Sequence, residues 1–278
     1  MAEPVADRVG RYIRDGADED LRRLLSIAQS SAEMARAAFH RVGVQPGWDA
    51  IDCGCGPLGG LAVLAELVGP DGRVVGVDFS APAVQQARAV ASTLGLANVE
   101  VVAGDIHALD PAALGGPFDL AYTRLFLMHQ PDAAETLRRI AGLLRPGGWL
   151  VAQEPLRTPP PASHRELAAL AAYWALLHQL LERAGVPAGA VEDLPRSARA
   201  AGFEVVGLGG FFVPLDPALV GFEIHASTIA AARERVVGSG LASAEQVDEL
   251  VDSLRGAKNG DHSWVSSPFF LDLALRKS

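Results

Sequence analysis

Between residues 49 and 155, short apolar runs alternate with segments of helical periodicity, and no other feature of the sequence limits the fold as strongly. Strands and helices in this alternation pack as a parallel sheet with helices on both faces. The sequence therefore predicts an α/β protein with a doubly wound, mostly parallel sheet. The strand candidates are 50–53, 73–77, 98–103, 118–123 and 149–153.

The remaining helical segments divide the chain around this core. Residues 1–45 are predicted to form an N-terminal helical cap, and residues 46–155 the core that binds a ligand. Residues 156–202 are interpreted as a helical insert over the substrate site. Residues 203–278 complete the sheet, with a further helical insert at about 216–257. Both inserts are expected to cap the sheet rather than to fold as a separate domain.

The charge balance argues against some classes of partner. The chain has 24 Lys and Arg against 33 Asp and Glu, a formal net charge of −9, and no run of basic residues. Because an acidic chain repels phosphate backbones, nucleic acid is not a predicted partner. No stretch approaches the roughly 18 apolar residues of a membrane-spanning helix, and no signal peptide is evident. We therefore expect a cytoplasmic protein, and the sequence is compatible with a homodimer.

The two cysteines of the chain, Cys53 and Cys55, are one residue apart. This spacing is poor for a structural disulfide, because the two side chains are not free to meet across a strand end. Two sulfurs without a nearby further Cys or His also make a poor zinc site. Both residues are predicted to be small buried thiols, and no metal is predicted.

A glycine-rich turn follows the first predicted strand, in the segment Ile51-Asp52-Cys53-Gly54-Cys55-Gly56-Pro57-Leu58-Gly59-Gly60. Glycine tolerates positive φ, and it lacks the Cβ that would collide with a ligand close to the backbone. In open parallel sheets, ligands bind outside the carboxyl ends of the strands, where the strand order reverses. The turn therefore predicts a ligand crevice at the end of this strand.

Carboxylates also occur in the next predicted strands or at their ends. Asp78 ends the second strand, 26 positions after Asp52, and Asp105 follows the third strand behind Gly104. Because a carboxylate only accepts hydrogen bonds, Asp78 suits the two hydroxyls of a ribose, and Asp105 suits an exocyclic amine such as that of adenine. The alternatives are a helix cap for Asp78 and a turn residue for Asp105. For Asp119, in the fourth strand, ligand contact and backbone anchoring are equally supported.

Five motifs occur in the order Asp52-x-Gly54-x-Gly56, Val77-Asp78-Phe79-Ser80, Gly104-Asp105-Ile106, Phe118-Asp119-Leu120 and Leu144-Arg145-Pro146-Gly147-Gly148. Over about residues 42–155 this set resembles the class I S-adenosylmethionine (SAM)-dependent methyltransferases. The resemblance implies a Rossmann-like methyltransferase fold with seven strands, of which the last is antiparallel. The sequence places that closing strand over 264–275. It also implies SAM as cofactor and a small-molecule acceptor under the helical cap.

The resemblance assigns residues at three strand ends to SAM. They are Gly54 and Gly56 for the methionine part, Asp78 for the ribose, and Asp105 and Ile106 for the adenine, and Phe79 and Gly104 are assigned to the cofactor as well. The chain departs from the family at Leu58, where a third glycine is common, and its own glycines are shifted to Gly59 and Gly60. A bulky side chain at this position is expected to reshape the methionine end of the pocket.

A nicotinamide dinucleotide is the main competing ligand, because Gly54, Gly56 and Gly59 also match the G-x-G-x-x-G pattern. Asp52 at the head of the turn argues against it. A carboxylate there would face a doubly charged pyrophosphate, whereas SAM carries a sulfonium and an ammonium. The charge of Asp52 therefore favours SAM, and Asp52 is assigned to SAM binding.

Candidates for catalysis follow the fourth and fifth strands. His129 is either a general base near neutral pH or a structural residue before a helix. Glu154 is predicted to face the crevice and orient an amine or hydroxyl. Arg124 contacts the cofactor, binds an acidic acceptor or braces Asp119, and we slightly favour the brace. The predicted acceptor-binding residues are Tyr12, His129, Tyr173 and Trp174, and packing within a lid is the alternative for the last two.

The predicted function is in-line methyl transfer from SAM to an apolar small molecule, such as a secondary metabolite. Since the methyl donor is already activated, much of the catalysis can come from holding the acceptor close and aligned. Three alternatives remain open from the sequence. They are a SAM-binding enzyme without methyl transfer, such as a cyclase, a non-catalytic SAM-binding protein, and a nicotinamide oxidoreductase.

Overall fold

A computed structural model describes residues 19–278, and its core is a seven-stranded sheet. Its strands are β1 (Asp49–Cys53), β2 (Arg73–Asp78), β3 (Val99–Ala103), β4 (Phe118–Arg124), β5 (Leu144–Pro155), β6 (Phe203–Phe211) and β9 (Phe270–Lys277), and a separate pair is formed by β7 (Pro214–Leu215) and β8 (Val265–Ser266). The sheet order is β3-β2-β1-β4-β5-β9-β6. Strands β1 to β5 pair in parallel, and β9 is antiparallel to both neighbours. The predicted sheet is confirmed.

Strand β1 lies where the strand order reverses, with β2 on one side and β4 on the other. Its residues Ala50, Ile51 and Cys53 have no solvent exposure, as expected for a parallel strand that is covered on both faces. Open α/β sheets bind ligands in the crevice outside the carboxyl ends of the strands at this reversal. The turn after β1 therefore stands at the position where a ligand is expected.

Helices cover both faces of the sheet with aliphatic side chains. One face packs against α2 (Ala32–Arg41), α3 (Leu61–Val68) and α4 (Ala81–Thr93), and the other packs against α5 (Ala133–Leu143) and α7 (Leu194–Ala200). The buried positions of these helices are mostly Ala, Val, Leu and Ile. A core of this kind agrees with a chain of which only 6% is aromatic.

Two of these helices begin at signals that are visible in the sequence. The Ser80 hydroxyl accepts a hydrogen bond from Ala83 N at 3.4 Å, and Pro82 occupies the first turn of α4. The Asp132 carboxylate accepts a hydrogen bond from Glu135 N at 2.9 Å at the start of α5. A side-chain oxygen at the N-cap satisfies an N–H that lacks a partner within the helix. These caps determine where α4 begins after β2 and where α5 begins after β4.

Helices from three separate parts of the chain form one body beside the carboxyl ends of the strands. Helices α6 (Ala168–Arg183), α8 (Phe222–Ala231), α9 (Arg233–Gly238) and α10 (Ala244–Ala257) share one apolar cluster, and α1 (Glu19–Ser30) contacts α8. Each fully buried aliphatic or aromatic side chain in this cluster contributes about 1.5–3 kcal/mol by leaving water. We call this group of five helices the helical cap. The domain boundaries at 45, 155 and 202 stay predictions.

The closing strand is shorter than the sequence predicted. Strand β9 begins at Phe270, and Val265–Ser266 pairs with β7 instead. Pro268 interrupts the predicted strand, because proline has no backbone N–H to donate to a sheet. Ser267 bonds to Val213, donating its N–H to the Val213 carbonyl at 2.8 Å and accepting from Val213 N at 2.9 Å through its hydroxyl. The prediction of one strand over 264–275 was wrong for this reason.

Among residues 19–278, none of the helices combines the length and the apolar character that a bilayer span requires. The cytoplasmic location and the homodimer stay predictions from the sequence.

Candidate active site

The glycine-rich turn after β1 is held by β2. Gly54 N and Cys55 N donate to the Val77 carbonyl at 2.8 and 3.1 Å. Gly54 has a φ of +76° and Gly56 a φ of +51°, in the left-handed region that favours glycine. A Cβ at Gly54 would overlap the ring of Phe126, whereas a Cβ at Gly56 would meet no atom within 4 Å. Gly54 is therefore required by an aromatic ring of its own chain, and Gly56 faces open space.

Asp52 stabilises this turn from the buried side. Its side chain is 1% exposed, and Oδ2 accepts a hydrogen bond from Gly60 N at 2.6 Å. Burial raises the pKa of Asp52 to about 7, while the Gly60 N–H and the charge of Arg124 act against this rise. Asp52 therefore stabilises the turn through this hydrogen bond, and its direct contact with SAM stays a prediction. Cys53 and Cys55 are buried free thiols, as predicted.

Leu58 does not reshape the pocket, contrary to expectation. Its side chain is 4% exposed and packs with Leu21, Leu25 and Leu94, between α1 and the end of α4. Gly59 takes the left-handed conformation one residue later, with a φ of +46°. The backbone of the turn therefore directs the Leu58 side chain into the protein interior, and the open side of the turn stays clear.

Leu58→Ala is expected to lower the free energy of unfolding by about 2–4 kcal/mol, because truncation leaves a cavity in a packed cluster. The affinity for SAM should not change, since the side chain points away from the open side of the turn. Urea unfolding and calorimetric titration with SAM measure the two quantities. A clear loss of SAM affinity without a loss of stability would contradict this placement of Leu58.

Asp78 is half-buried at the carboxyl end of β2 and keeps acceptor capacity on both oxygens. Oδ2 accepts from Gly56 N and Oδ1 accepts from Ser80 N, each at 2.9 Å. Its backbone carbonyl accepts from Gly104 N at 2.9 Å, which ties the ends of β2 and β3 together. A carboxylate offers about four acceptor positions, so both oxygens can take a further hydroxyl. Ser80 fills the cap position of α4, so the alternative role of Asp78 as a helix cap is wrong.

The cofactor-binding residues predicted after β2 and β3 differ in how accessible they are. Asp105 is exposed and accepts a hydrogen bond from His107 N at 2.9 Å through Oδ1. This contact is the turn role that the sequence left open, and Oδ2 of Asp105 makes no hydrogen bond within residues 19–278. Phe79 is 83% exposed, whereas Ile106 is 5% exposed and packs into the core. Phe79 and Asp105 are therefore open to a purine, and Ile106 offers it little surface.

A cavity of about 380 Å³ lies between the glycine-rich turn and the helical cap. Its walls are mostly apolar, as in many small-molecule sites. Asp78, Phe79 and Asp105 lie outside its lining, at the neighbouring strand ends. Tyr12, which the sequence assigned to the acceptor, falls outside the residues that the structure describes. The predicted site residues that line the cavity are Gly54, Gly56, Arg124, His129, Tyr173 and Trp174.

Tyr173 and Trp174 both pack into the helical cap and line the cavity. Each side chain is 3% exposed, and the two ring centroids are 5.9 Å apart. Trp174 Nε1 donates to the carbonyl of Arg157 at 2.7 Å. This bond satisfies the indole N–H, which would otherwise be buried without a partner. The two rings therefore form part of the cavity wall, and a hydrogen bond holds the Trp174 indole in place.

His129 ends the short 3₁₀ helix Leu127–His129 that follows β4. The residue is exposed, and it lines the cavity. Removal from bulk water, and in second place the charge of Arg235, lower the pKa of His129 to about 4. The imidazole is therefore neutral at neutral pH, which is the form that accepts a proton.

Glu154 does not face the cavity, contrary to the prediction. Its side chain has no solvent exposure and accepts hydrogen bonds from the backbone N–H groups of Phe126, Leu127 and Met128, at 3.0, 3.0 and 3.3 Å. Burial raises the pKa of Glu154 to about 7, and these N–H groups act against the rise. The carboxylate satisfies donors at the start of the 3₁₀ helix. Glu154 thus positions the turn that bears His129, and it does not reach an acceptor in the cavity.

Arg124 does not brace Asp119, although the sequence favoured this pair. Asp119 lies near the start of β4 and Arg124 at its end, about 16 Å apart at 3.3 Å per residue. Asp119 instead accepts from Asp49 N at 2.8 Å and pairs with Arg145 at 2.6 Å. Asp119 therefore anchors neighbouring backbone, far from the crevice. Arg124 lines the cavity beside the turn, with one guanidinium nitrogen 3.5 Å from the Gly59 carbonyl oxygen.

Two titratable residues of the cavity lining were not assigned from the sequence, His225 on α8 and Arg235 on α9. His225 has no solvent exposure, and its Nε2 lies 2.9 Å from the Ser266 carbonyl oxygen. Because a carbonyl only accepts, Nε2 carries the proton. Burial lowers the pKa of His225 to about 4, so its ring is neutral. No local motif marks either residue, since they reach the cavity only through the packing of the helical cap.

Comparison with known proteins shows the family. A family model described as a methyltransferase domain matches residues 45–191, more than half of the chain. Nocamycin O-methyltransferase of Saccharothrix syringae is 39% identical over 135 residues, covering 49% of this chain and 46% of that protein. Trans-aconitate 2-methyltransferase of Azoarcus is 35% identical over 156 residues, covering 56% of this chain and 58% of that protein. The chain thus spans about half the length of these relatives.

A solved structure shares the fold at lower identity. The [4+2]-cyclase SpnF superposes with a TM-score of 0.56 at 20% identity, covering 90% of this chain and 82% of that one. This likeness concerns the fold alone. The matched residues 45–191 include the glycine-rich turn, the three strand ends assigned to SAM, and the 3₁₀ helix after β4. The chain belongs to the class I SAM-dependent methyltransferases, whose cofactor is SAM.

Proposed function

We propose that this protein transfers the methyl group of SAM to a small, largely apolar molecule that is held in the cavity. The observation that most supports this function is the extent of the cavity. It reaches from the glycine-rich turn to the aromatic side chains of the helical cap. A donor on the turn and an acceptor against the wall would share one enclosed space. Such an arrangement brings the reacting atoms together and excludes water from them.

The residues at the strand ends fit SAM. Gly56 faces open space, Asp78 keeps acceptor positions for two ribose hydroxyls, and the exposed Phe79 and Asp105 suit a purine and its amine. Arg124 is placed to attract the carboxylate of the methionine part, because it lies beside the turn. When bound, SAM supplies a methyl group on a positively charged sulfur, already activated for displacement.

His129 is the proposed general base for an acceptor that must lose a proton. It is neutral and faces the cavity, on a turn that Glu154 holds in place. The similarity to a protein named an O-methyltransferase supports an oxygen of a secondary metabolite as the atom that accepts the methyl group. An imidazole that removes a hydroxyl proton would strengthen this oxygen as a nucleophile.

Asp78→Ala is expected to weaken SAM binding by about 1–3 kcal/mol, because the ribose hydroxyls lose a charged acceptor. Calorimetric titration with SAM measures the change, and Asp110→Ala provides the control. Asp110 is an exposed turn residue whose carboxylate bonds only to Ala112 N among the residues described. Equal SAM affinity in wild type and Asp78→Ala would remove Asp78 from the site.

The proposed function is tested by incubating the protein with SAM and a panel of phenols, amines and activated carbon acids. We expect S-adenosylhomocysteine (SAH) and a methylated product to form in equal amounts with at least one oxygen acceptor. Binding of SAM without SAH from any acceptor would favour a non-methylating enzyme such as a cyclase, or a SAM-binding protein. Thermal stabilisation by NAD(P) and none by SAM would favour an oxidoreductase.

A further inference from the structure

The charged groups of the cavity wall all have one sign. Within residues 19–278, the lining contains Arg124 and Arg235 but neither Asp nor Glu. The two histidines of the lining, His129 and His225, are neutral at pH 7 because both have a lowered pKa. The chain as a whole carries a net charge of −9. The charged side chains that line the cavity are therefore positive, although the protein as a whole is acidic.

The proposed cofactor accounts for one of these two charges. Arg124 lies beside the glycine-rich turn, where the carboxylate of the methionine part would neutralise it. The sulfonium and the ammonium of SAM would then add positive charge to the same space. Arg235 is exposed on α9 and lines the cavity together with cap residues such as Thr228 and Ala232. SAM therefore leaves the charge of Arg235 without a counter-ion.

The protein itself does not supply that counter-ion. Among the described residues, Arg235 forms no salt bridge, while Arg233 on the same helix is paired with Asp248 at 2.7 and 2.8 Å. The positive charge of Arg235 disfavours protonation of His129 and so lowers the pKa of that ring. Guanidinium groups bind carboxylates through short, charge-assisted and often bidentate hydrogen bonds. An anionic group of the acceptor would complete this part of the cavity.

We propose that the acceptor carries a carboxylate at one end of an apolar body, and that Arg235 binds it. This inference rests on the proposed function, and it adds an anion to the apolar acceptor that the sequence predicts. The carboxylate serves as an anchor at the cap side of the cavity, so that the rest of the molecule extends past His129 toward the turn. An acceptor with a free alkylammonium group is disfavoured, because it would face Arg235 and the sulfonium.

The test uses full-length protein saturated with SAH and a panel of aryl and alkyl carboxylates of increasing length, each with its primary amide. The amide keeps the shape of the carboxylate but removes its charge. Affinities are measured by calorimetry for the wild type, Arg235→Gln and the control Arg233→Gln. Arg233→Gln removes a similar charge from the same helix, outside the cavity. SAH affinity is measured for each variant as well, to show that the cofactor site is unchanged.

We expect carboxylates of suitable length to bind the wild type about 10- to 100-fold more tightly than their amides, the effect of one charged hydrogen-bonded pair. Arg235→Gln should abolish this preference, and Arg233→Gln should retain it. The inference is overturned if no carboxylate binds better than its amide, or if Arg235→Gln keeps the preference.

Failure of this inference is distinguishable from failure of the proposed function. Production of SAH with neutral acceptors alone, at equal rates in wild type and Arg235→Gln, would overturn the carboxylate anchor and leave methyl transfer standing. Binding of carboxylates that depends on Arg235, without SAH from any acceptor, would support the anchor and contradict methyl transfer.

Discussion

His129→Ala should lower the turnover number about 10²-fold, the lower end of the usual contribution of a general base, because a pKa of about 4 makes His129 a weak base, while the affinity for SAM stays unchanged. The imidazole faces the cavity and is neutral, so it can take a proton from an acceptor hydroxyl. Single-turnover formation of SAH with an oxygen acceptor measures the first quantity, and calorimetry with SAM measures the second.

A matched control is His40→Ala, because His40 is exposed on α2 and does not line the cavity. This variant should turn over at the wild-type rate. Full turnover of His129→Ala with an acceptor that must lose a proton would retire His129 as the base. A loss of SAM affinity equal to the loss of turnover would place His129 in the cofactor site instead.

The pH dependence of kcat/KM and kcat is a second test of His129 as the base. The base is active in its deprotonated form, which predominates above the pKa of about 4. Loss of kcat/KM through His129 is therefore expected only on the acid side, below about pH 5, with no loss between pH 6 and 8. A carboxylate bound at Arg235 would offset the charge that lowers this pKa. The pKa of His129 should then be higher with the acceptor bound than in the free enzyme. The loss of kcat at low pH should therefore begin at a higher pH than the loss of kcat/KM.

Glu154→Leu is expected to lower the free energy of unfolding by about 5 kcal/mol, because three backbone N–H groups lose their acceptor at about 1–3 kcal/mol each. Those donors belong to Phe126, Leu127 and Met128, at the start of the turn that bears His129. Glu154→Gln keeps a carbonyl acceptor and should restore most of the stability and turnover. Urea unfolding at pH 7 compares the three proteins, and equal stability of all three would contradict this role.

The stability difference between wild type and Glu154→Gln should also depend on pH. The folded-state pKa of Glu154 is raised above its ordinary value to about 7. Folding therefore favours the protonated form, and the wild type loses stability relative to the non-titrating variant as pH rises from about 4.5 to 7. The slope is at most about 1.4 kcal/mol per pH unit. A difference that stays constant over this interval would show that Glu154 has an ordinary pKa in the folded protein.

Errors of the sequence analysis arose where a side chain found a partner from a distant part of the chain. Glu154 ends a strand, as predicted, but its carboxylate turns to the backbone of residues 126–128. Leu58 follows the glycine-rich turn, yet α1 and the end of α4 receive its side chain. The pair predicted between Arg124 and Asp119 fails because the two residues lie at opposite ends of one strand.

The sequence by itself determined the sheet, the turn after β1 and the carboxylate of Asp78. These features depend on local rules: alternation of strand and helix, glycine where φ is positive, and a carboxylate at a strand end. Only the tertiary structure decided which polar groups enter the cavity. His225 and Arg235 lie in an insert without a motif, about a hundred residues after β4 in the chain. They meet His129 because apolar burial packs α8 and α9 over the turn, and the spacing along a sequence does not record such packing.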